Sequence, residues 1–106
     1  GLAQLTEDPA GLEAAAWEAA TKPGGTAEEY RLARVWAAAA DKARPDSLDN
    51  RATLALAELR AGDPAAAVRT AARAVPLFRH TYGAPWPLLH GVLAVGHHRL
   101  GRPAEA

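Results

Sequence analysis

The stretch Arg60-Ala61-Gly62-Asp63-Pro64-Ala65-Ala66-Ala67 decides how this chain folds, because it reads as one helix ending and the next beginning. Glycine at 62 supplies the left-handed backbone that closes a helix. Asp63 is placed to accept from the amides of the next first turn. Pro64 suits a first helical position, where a missing amide costs nothing. The alanines that follow are the best helix formers. The stretch therefore predicts a helix hairpin. It returns as Arg99-Leu100-Gly101-Arg102-Pro103-Ala104-Glu105-Ala106, 39 residues on, with Arg-x-Gly-x-Pro-Ala-x-Ala in common. Upstream, Leu54-Ala55 returns as Leu93-Ala94, while Leu59 faces His98. Ala33 and Ala67 are 34 residues apart, as are Ala40 and Ala74. Paired helices repeating at such a period predict a stacked repeat architecture.

Working outward, the same punctuation recurs. Asp8-Pro9 is a cap followed by a first-turn proline, and Leu12 to Ala20 reads as a short helix. Lys22-Pro23-Gly24-Gly25 stops it. Thr26 and Glu29 have capping-box spacing, and a second helix follows from Ala27 to Ala43, with Tyr30, Ala33, Trp36, Ala37 and Ala40 on its buried side. Pro45 ends it, and Asp46 or Ser47 can cap a third helix from Leu48 to Ala61. The fourth runs from Pro64 to Arg79, with Ala67, Val68, Ala71, Ala74, Val75 and Phe78 as its apolar stripe. Pro76 lacks the amide that would bond the carbonyl of Ala72, which predicts a kink or an early end there. Gly83 to Pro87 connects to a fifth helix, Pro87 to Leu100, closed by Gly101. No segment alternates as a strand does. The fold expected is all-α: antiparallel helix hairpins stacked in one domain, residues 1–106, with units at about 8–45, 46–83 and an incomplete 84–106.

Composition narrows the function. The chain has 106 residues, 49% of them hydrophobic and many of those alanine, with 6% aromatic. Such helices approach closely but leave few bulky side chains to enclose a small molecule. Lys plus Arg and Asp plus Glu are 12 each. With no basic excess or stripe apparent, nucleic acid is not the expected partner. Cysteine is absent, which removes disulfides and thiolate chemistry and suits a cytoplasmic setting. No apolar run approaches a membrane span. With no methionine and Gly1 at its start, the chain reads as a segment of a longer protein, and the residues from Gly101 read as the opening of a further, truncated helix.

Leu54, Ala55, Gly62, Asp63, Ala67, Ala74 and Pro45 together resemble the tetratricopeptide repeat consensus, and Leu93, Ala94, Gly101 and Ala106 resemble the same positions one unit on. Tyr30, Ala33, Ala40 and Pro45 fit an earlier, more divergent unit. The string from His97 to Pro103 resembles a bacterial subtype carried on large multidomain proteins, including signalling kinases. Two positions depart from the pattern. Pro64 and Pro103 stand where the family has an aromatic at the end of the turn, and Ala71 replaces a bulky helix-B aromatic. The resemblance implies a short α-solenoid whose first helices line a concave groove, used to bind a protein or peptide. Carried over position by position, that groove would hold Asp49, Ala52, Leu56, Leu59 and Arg60, then Leu88, Gly91, Val95, His98 and Arg99. Asp49, Leu56, Arg60, Val95, His98 and Arg99 are the candidate contact residues. Arg60 and Arg99, at equivalent positions, could fork onto partner carboxylates. The competing reading makes them exposed arginines that complement helix C-termini. The family's peptide-carboxylate clamp is not implied, because Asn50 has only Leu89 as its counterpart.

Other chemistry finds weaker footing. His90 and His97 share a helix face, but no i,i+4 histidine pair exists and the fifth helix has no carboxylate, so no metal or cofactor is expected. Ser47 is the single serine and sits as a helix cap, so no nucleophile is expected and no enzyme. Glu28 and Glu29 read as first-turn partners of the helix. Gly24-Gly25 could cradle an anion at a helix start, though with no following lysine motif it reads as a turn. Trp17 and Trp36 fall on apolar stripes and are expected in the core, with Trp86 partly exposed. A protein-binding scaffold is thus the expectation. A spacer between other domains and, less favoured, a helical-repeat nucleic-acid binder are the alternatives. Self-association is compatible with any of these.

Overall fold

Each helix begins where a side chain or a proline resolves its first turn. In the computed structural model, which describes residues 9–84 and 86–101, there are five: α1 (Pro9–Thr21), α2 (Ala27–Ala43), α3 (Leu48–Arg60), α4 (Pro64–Tyr82) and α5 (Pro87–Arg99). No strand occurs among the described residues. The capping box before α2 is complete: the Glu29 amide donates to Thr26 Oγ1, and the Thr26 amide donates to the Glu29 carboxylate. Ser47 accepts from the Asn50 amide ahead of α3, and Asp63 from the Ala66 amide ahead of α4. At the deciding turn, the Gly62 amide bonds the Leu59 carbonyl and the Asp63 amide bonds the Glu58 carbonyl. Gly62 sits at φ +87°. This is a Schellman closure, and its left-handed residue is the reason for glycine. The cap expected at Asp8 and the further helix after Gly101 lie outside the described residues.

Two expectations need correction. Of the kink or early end expected at Pro76, the early end does not occur, since α4 continues to Tyr82. Pro76 is exposed, so the Ala72 carbonyl it leaves faces the wet side of the helix, where water can satisfy it. Trp17 is not core: it is 43% exposed, because the inward face of α1 is taken by Leu12, Ala16 and Ala20. Trp36 is half-buried against the alanine core, and Trp86 is half-buried with its ring 4.9 Å from Phe78.

Short connectors make successive helices antiparallel, so α1, α3 and α5 run the same way. They begin at residues 9, 48 and 87, a spacing of 39 each time, and each is 13 residues long. α3 is central: it packs on α2 and α4, and also on α1 and α5. One core cluster, of Ala16, Ala20, Ala33, Ala37 and Ala57, joins α1, α2 and α3. The other holds Ala52, Ala55, Leu59, Ala67, Ala71, Ala74, Leu89 and Val92, and Leu56 packs against both. Where a methyl is the largest group at most contacts, backbones approach closely. Gly96 carries this furthest: a Cβ there would lie 2.6 Å from Val68 Cγ2.

Asn50 and Leu89 are the largest fully buried side chains and occupy equivalent places in α3 and α5. Asn50 Nδ2 donates to the Ala40 carbonyl at 3.1 Å. It adds a second bond to a carbonyl that already accepts from the Arg44 amide, while filling the volume that leucine fills beside α4.

Candidate peptide groove

The faces that α3 and α5 turn away from α2 and α4 meet in an open hollow of about 350 Å³. Its walls are mostly apolar: Leu56 and Leu59 from α3, Leu88, Val92 and Val95 from α5, with Gly91 leaving room. Arg60 and Arg99 close one end. Of the residues expected to make contact, Leu56, Arg60, Val95 and Arg99 are therefore brought together. Asp49 lies elsewhere, one end of α3 away. His98 is exposed on α5 and does not line the hollow. Ala52, also expected to line it, is fully buried in the core.

Both arginines have partners within the chain. The Arg99 Nη1 donates to the Leu59 carbonyl at 3.2 Å, placing a cation at the C-terminal end of α3 where the helix dipole is negative. This contact also shows that the C-terminal ends of α3 and α5 lie side by side. The Arg60 guanidinium lies 5.4 Å from the centre of the Tyr30 ring, within cation–π range. Tyr30 is itself fixed, its hydroxyl donating to the Lys22 carbonyl at 2.6 Å and accepting from the Gly25 amide at 3.0 Å. One contact each leaves most of the five N–H groups of each guanidinium unspent, and both residues are exposed. The Gly25 and Thr26 amides, by contrast, are both committed inside the chain, so the connector works as a turn.

Towards the opposite end, α3 continues into a second hollow of about 190 Å³, formed by Glu13 and Trp17 of α1, Asp49 and Thr53 of α3, and Trp86. Asp49, Thr53, Leu56 and Arg60 follow spacings of four, three and four, which is one face of a helix. Trp17, Leu56 and Val95 fall on the 39-residue period, so one apolar position recurs across all three parallel helices. The apolar stripe of α1 does not announce the second hollow, because it places Trp17 in the core. The repeat period was the signal that would have placed it beside Leu56.

The zero charge sum conceals a segregation. Residues 64–101 contain four arginines, all four histidines and no aspartate or glutamate. The first 63 residues contain eleven acids and seven bases. Glu58, the one buried acid in the described core, accepts from the Thr70 hydroxyl at 2.6 Å. Burial pushes its carboxyl above the usual range, and the Thr70 bond and the Arg34 charge only partly offset this. Asp63 is held below the usual range, first by the Ala66 amide and then by Arg34, whose Nη2 lies 2.9 Å from its carboxylate. No group of three metal-ligating side chains occurs among the described residues, and no helix among them is long and apolar enough to cross a membrane. Comparison of the chain with protein-family models, curated proteins and solved structures gives no match to any of them.

Proposed function

We propose that this chain is a tetratricopeptide-like solenoid segment that binds a protein or peptide along the joined faces of α1, α3 and α5, as a scaffold within a larger protein. The observation that carries the reading is the hollow between α3 and α5: an exposed apolar trough with an arginine from each helix at one end. Support for the solenoid comes from the equal spacing of the three alternate helices and from the contacts of α3 with both α1 and α5. An apolar floor with a few charged groups at its margin is what a peptide site needs for affinity and orientation.

The test compares the wild-type segment with Arg60→Glu/Arg99→Glu in affinity capture from an extract of the source cells, both checked for fold by circular dichroism. A partner held by the wild type and lost by the folded double variant supports the groove. A partner held equally by both removes the arginine pair from recognition. A spacer role is the second reading, favoured by the bond from Arg99 to the Leu59 carbonyl and the stacking of Arg60 on Tyr30, since both arginines then serve the fold. On that reading groove substitutions change nothing, while a packing substitution such as Ala67→Leu unfolds the segment.

A further inference from the structure

Resting on the groove reading, the arrangement of charge points further, to a bipolar ligand: we infer that the groove takes an extended peptide segment with a basic residue at one end, an acidic residue at the other, and an apolar side chain between. Because α1, α3 and α5 run the same way, their ends sort the charges. Glu13 and Asp49 line the hollow towards the start of α3, and no lysine or arginine does. Arg60 and Arg99 line the hollow at its end, and no acid does. Between them lie Leu56 and Val95, the latter 42% exposed.

The helix supplies the ruler. Asp49 and Arg60 are eleven residues apart on one face, which is about 16 Å at 1.5 Å per residue. An extended chain covers that distance in about five residues at ~3.3 Å each. An extended segment can set one leucine-sized side chain into the larger hollow and carry its charges to the two ends. A purely acidic segment would gain at the arginines and meet Glu13 and Asp49 at the other end. A purely basic one would suffer the reverse.

The probes are three fluorescein-labelled, end-capped heptapeptides with the same leucine centre: one with lysine and glutamate flanking it about five residues apart, one with glutamate at both places, one with lysine at both. Binding is read by fluorescence anisotropy at low salt, where exposed charges act most strongly. The bipolar peptide is expected to bind about tenfold tighter than either other, in keeping with a few exposed ion pairs acting together. In folded Arg60→Glu/Arg99→Glu the preference should pass to the dilysine peptide, and in folded Glu13→Lys/Asp49→Lys to the diglutamate peptide. Equal or tighter binding of the diglutamate peptide to the wild type overturns the bipolar inference while leaving the arginine-lined groove in place. Failure of all three peptides to bind overturns it as well, and the capture experiment then decides the groove separately.

Discussion

Gly96 and Gly91 lie five residues apart in the same helix, yet alanine should act oppositely at the two. At Gly91 an added Cβ meets no atom within 4 Å. Gly91→Ala therefore collects the helix-propensity difference alone, about 0.8–1.0 kcal/mol of added stability. At Gly96 the same gain is opposed by overlap. The new carbon would sit 2.6 Å from Val68 Cγ2, where carbon contacts settle at ~3.5–4.0 Å. Val68 cannot swing aside cheaply, since a β-branched side chain in a helix has one strongly preferred rotamer. Either α5 moves off α4 or Val68 leaves its rotamer, and overpacking of this kind costs about 1–3 kcal/mol. The net for Gly96→Ala runs from neutral to about 2 kcal/mol destabilising, so the variants should differ by roughly 1–3 kcal/mol. In a chain of this size that separates their melting midpoints by roughly 5–15 °C. Thermal denaturation followed by circular dichroism measures it. Adding Val68→Ala to Gly96→Ala should cost less than the same change in the wild type, a coupling that a double-mutant cycle isolates. A Gly96→Ala protein that melts at or above Gly91→Ala would refute the close approach of α4 and α5.

Glu58→Gln keeps the acceptor for Thr70 and removes a carboxyl whose ionisation burial opposes. Because the folded carboxyl titrates above its unfolded value of 4.5, its contribution is fully present below that pH and is lost as pH rises through the folded value. The variant should melt higher than wild type at pH 8 and match it near pH 4, as paired melts would show. Asp63 has the opposite sign: its stabilisation is lost as pH falls below 3.8 through the folded value, so Asp63→Asn should flatten the acid limb of a pH–stability curve. Asn50→Asp places a charge in a fully buried site facing the Ala40 carbonyl. It should destabilise by about 3 kcal/mol or more, seen as a lower urea midpoint. Asn50→Leu, which copies Leu89, should cost less than Asn50→Asp in the same assay. Thr26→Ala breaks the capping box and should cost about 1 kcal/mol by urea denaturation.

Local signals carried most of the fold. The extent of α2 was legible to the residue, because Thr26 and Glu29 mark its start and the alanine stripe stops before Pro45. The starts of α3, α4 and α5 were legible for the same reason, since Ser47, Asp63 and Pro87 act within one turn. The end of α4 was not. The backbone rule at Pro76 is local, whereas the cost of breaking it depends on which side faces water, and Gly83 at φ +72° provides the actual stop. The groove shows the same division. Leu56, Arg60, Val95 and Arg99 are expected only through the tetratricopeptide resemblance, carried over position by position. The exposure of Trp17 depends on how α1 rotates against α3, which small alanine contacts do not announce. The role of Asn50 depends on a carbonyl ten residues earlier in another helix.

The surplus of acids before residue 64 and the surplus of cations over residues 64–101 have a consequence for behaviour in bulk solution. A molecule whose charges cancel in number but not in place has almost no monopole but keeps an electric moment directed from the α1–α3 side to the α4–α5 side. Isoelectric focusing would rank it as neutral, yet anion- and cation-exchange surfaces should each retain it, gripping opposite ends. Its orientation near any charged surface is therefore set before contact, over the ~10 Å that ions at 0.1 M leave unscreened.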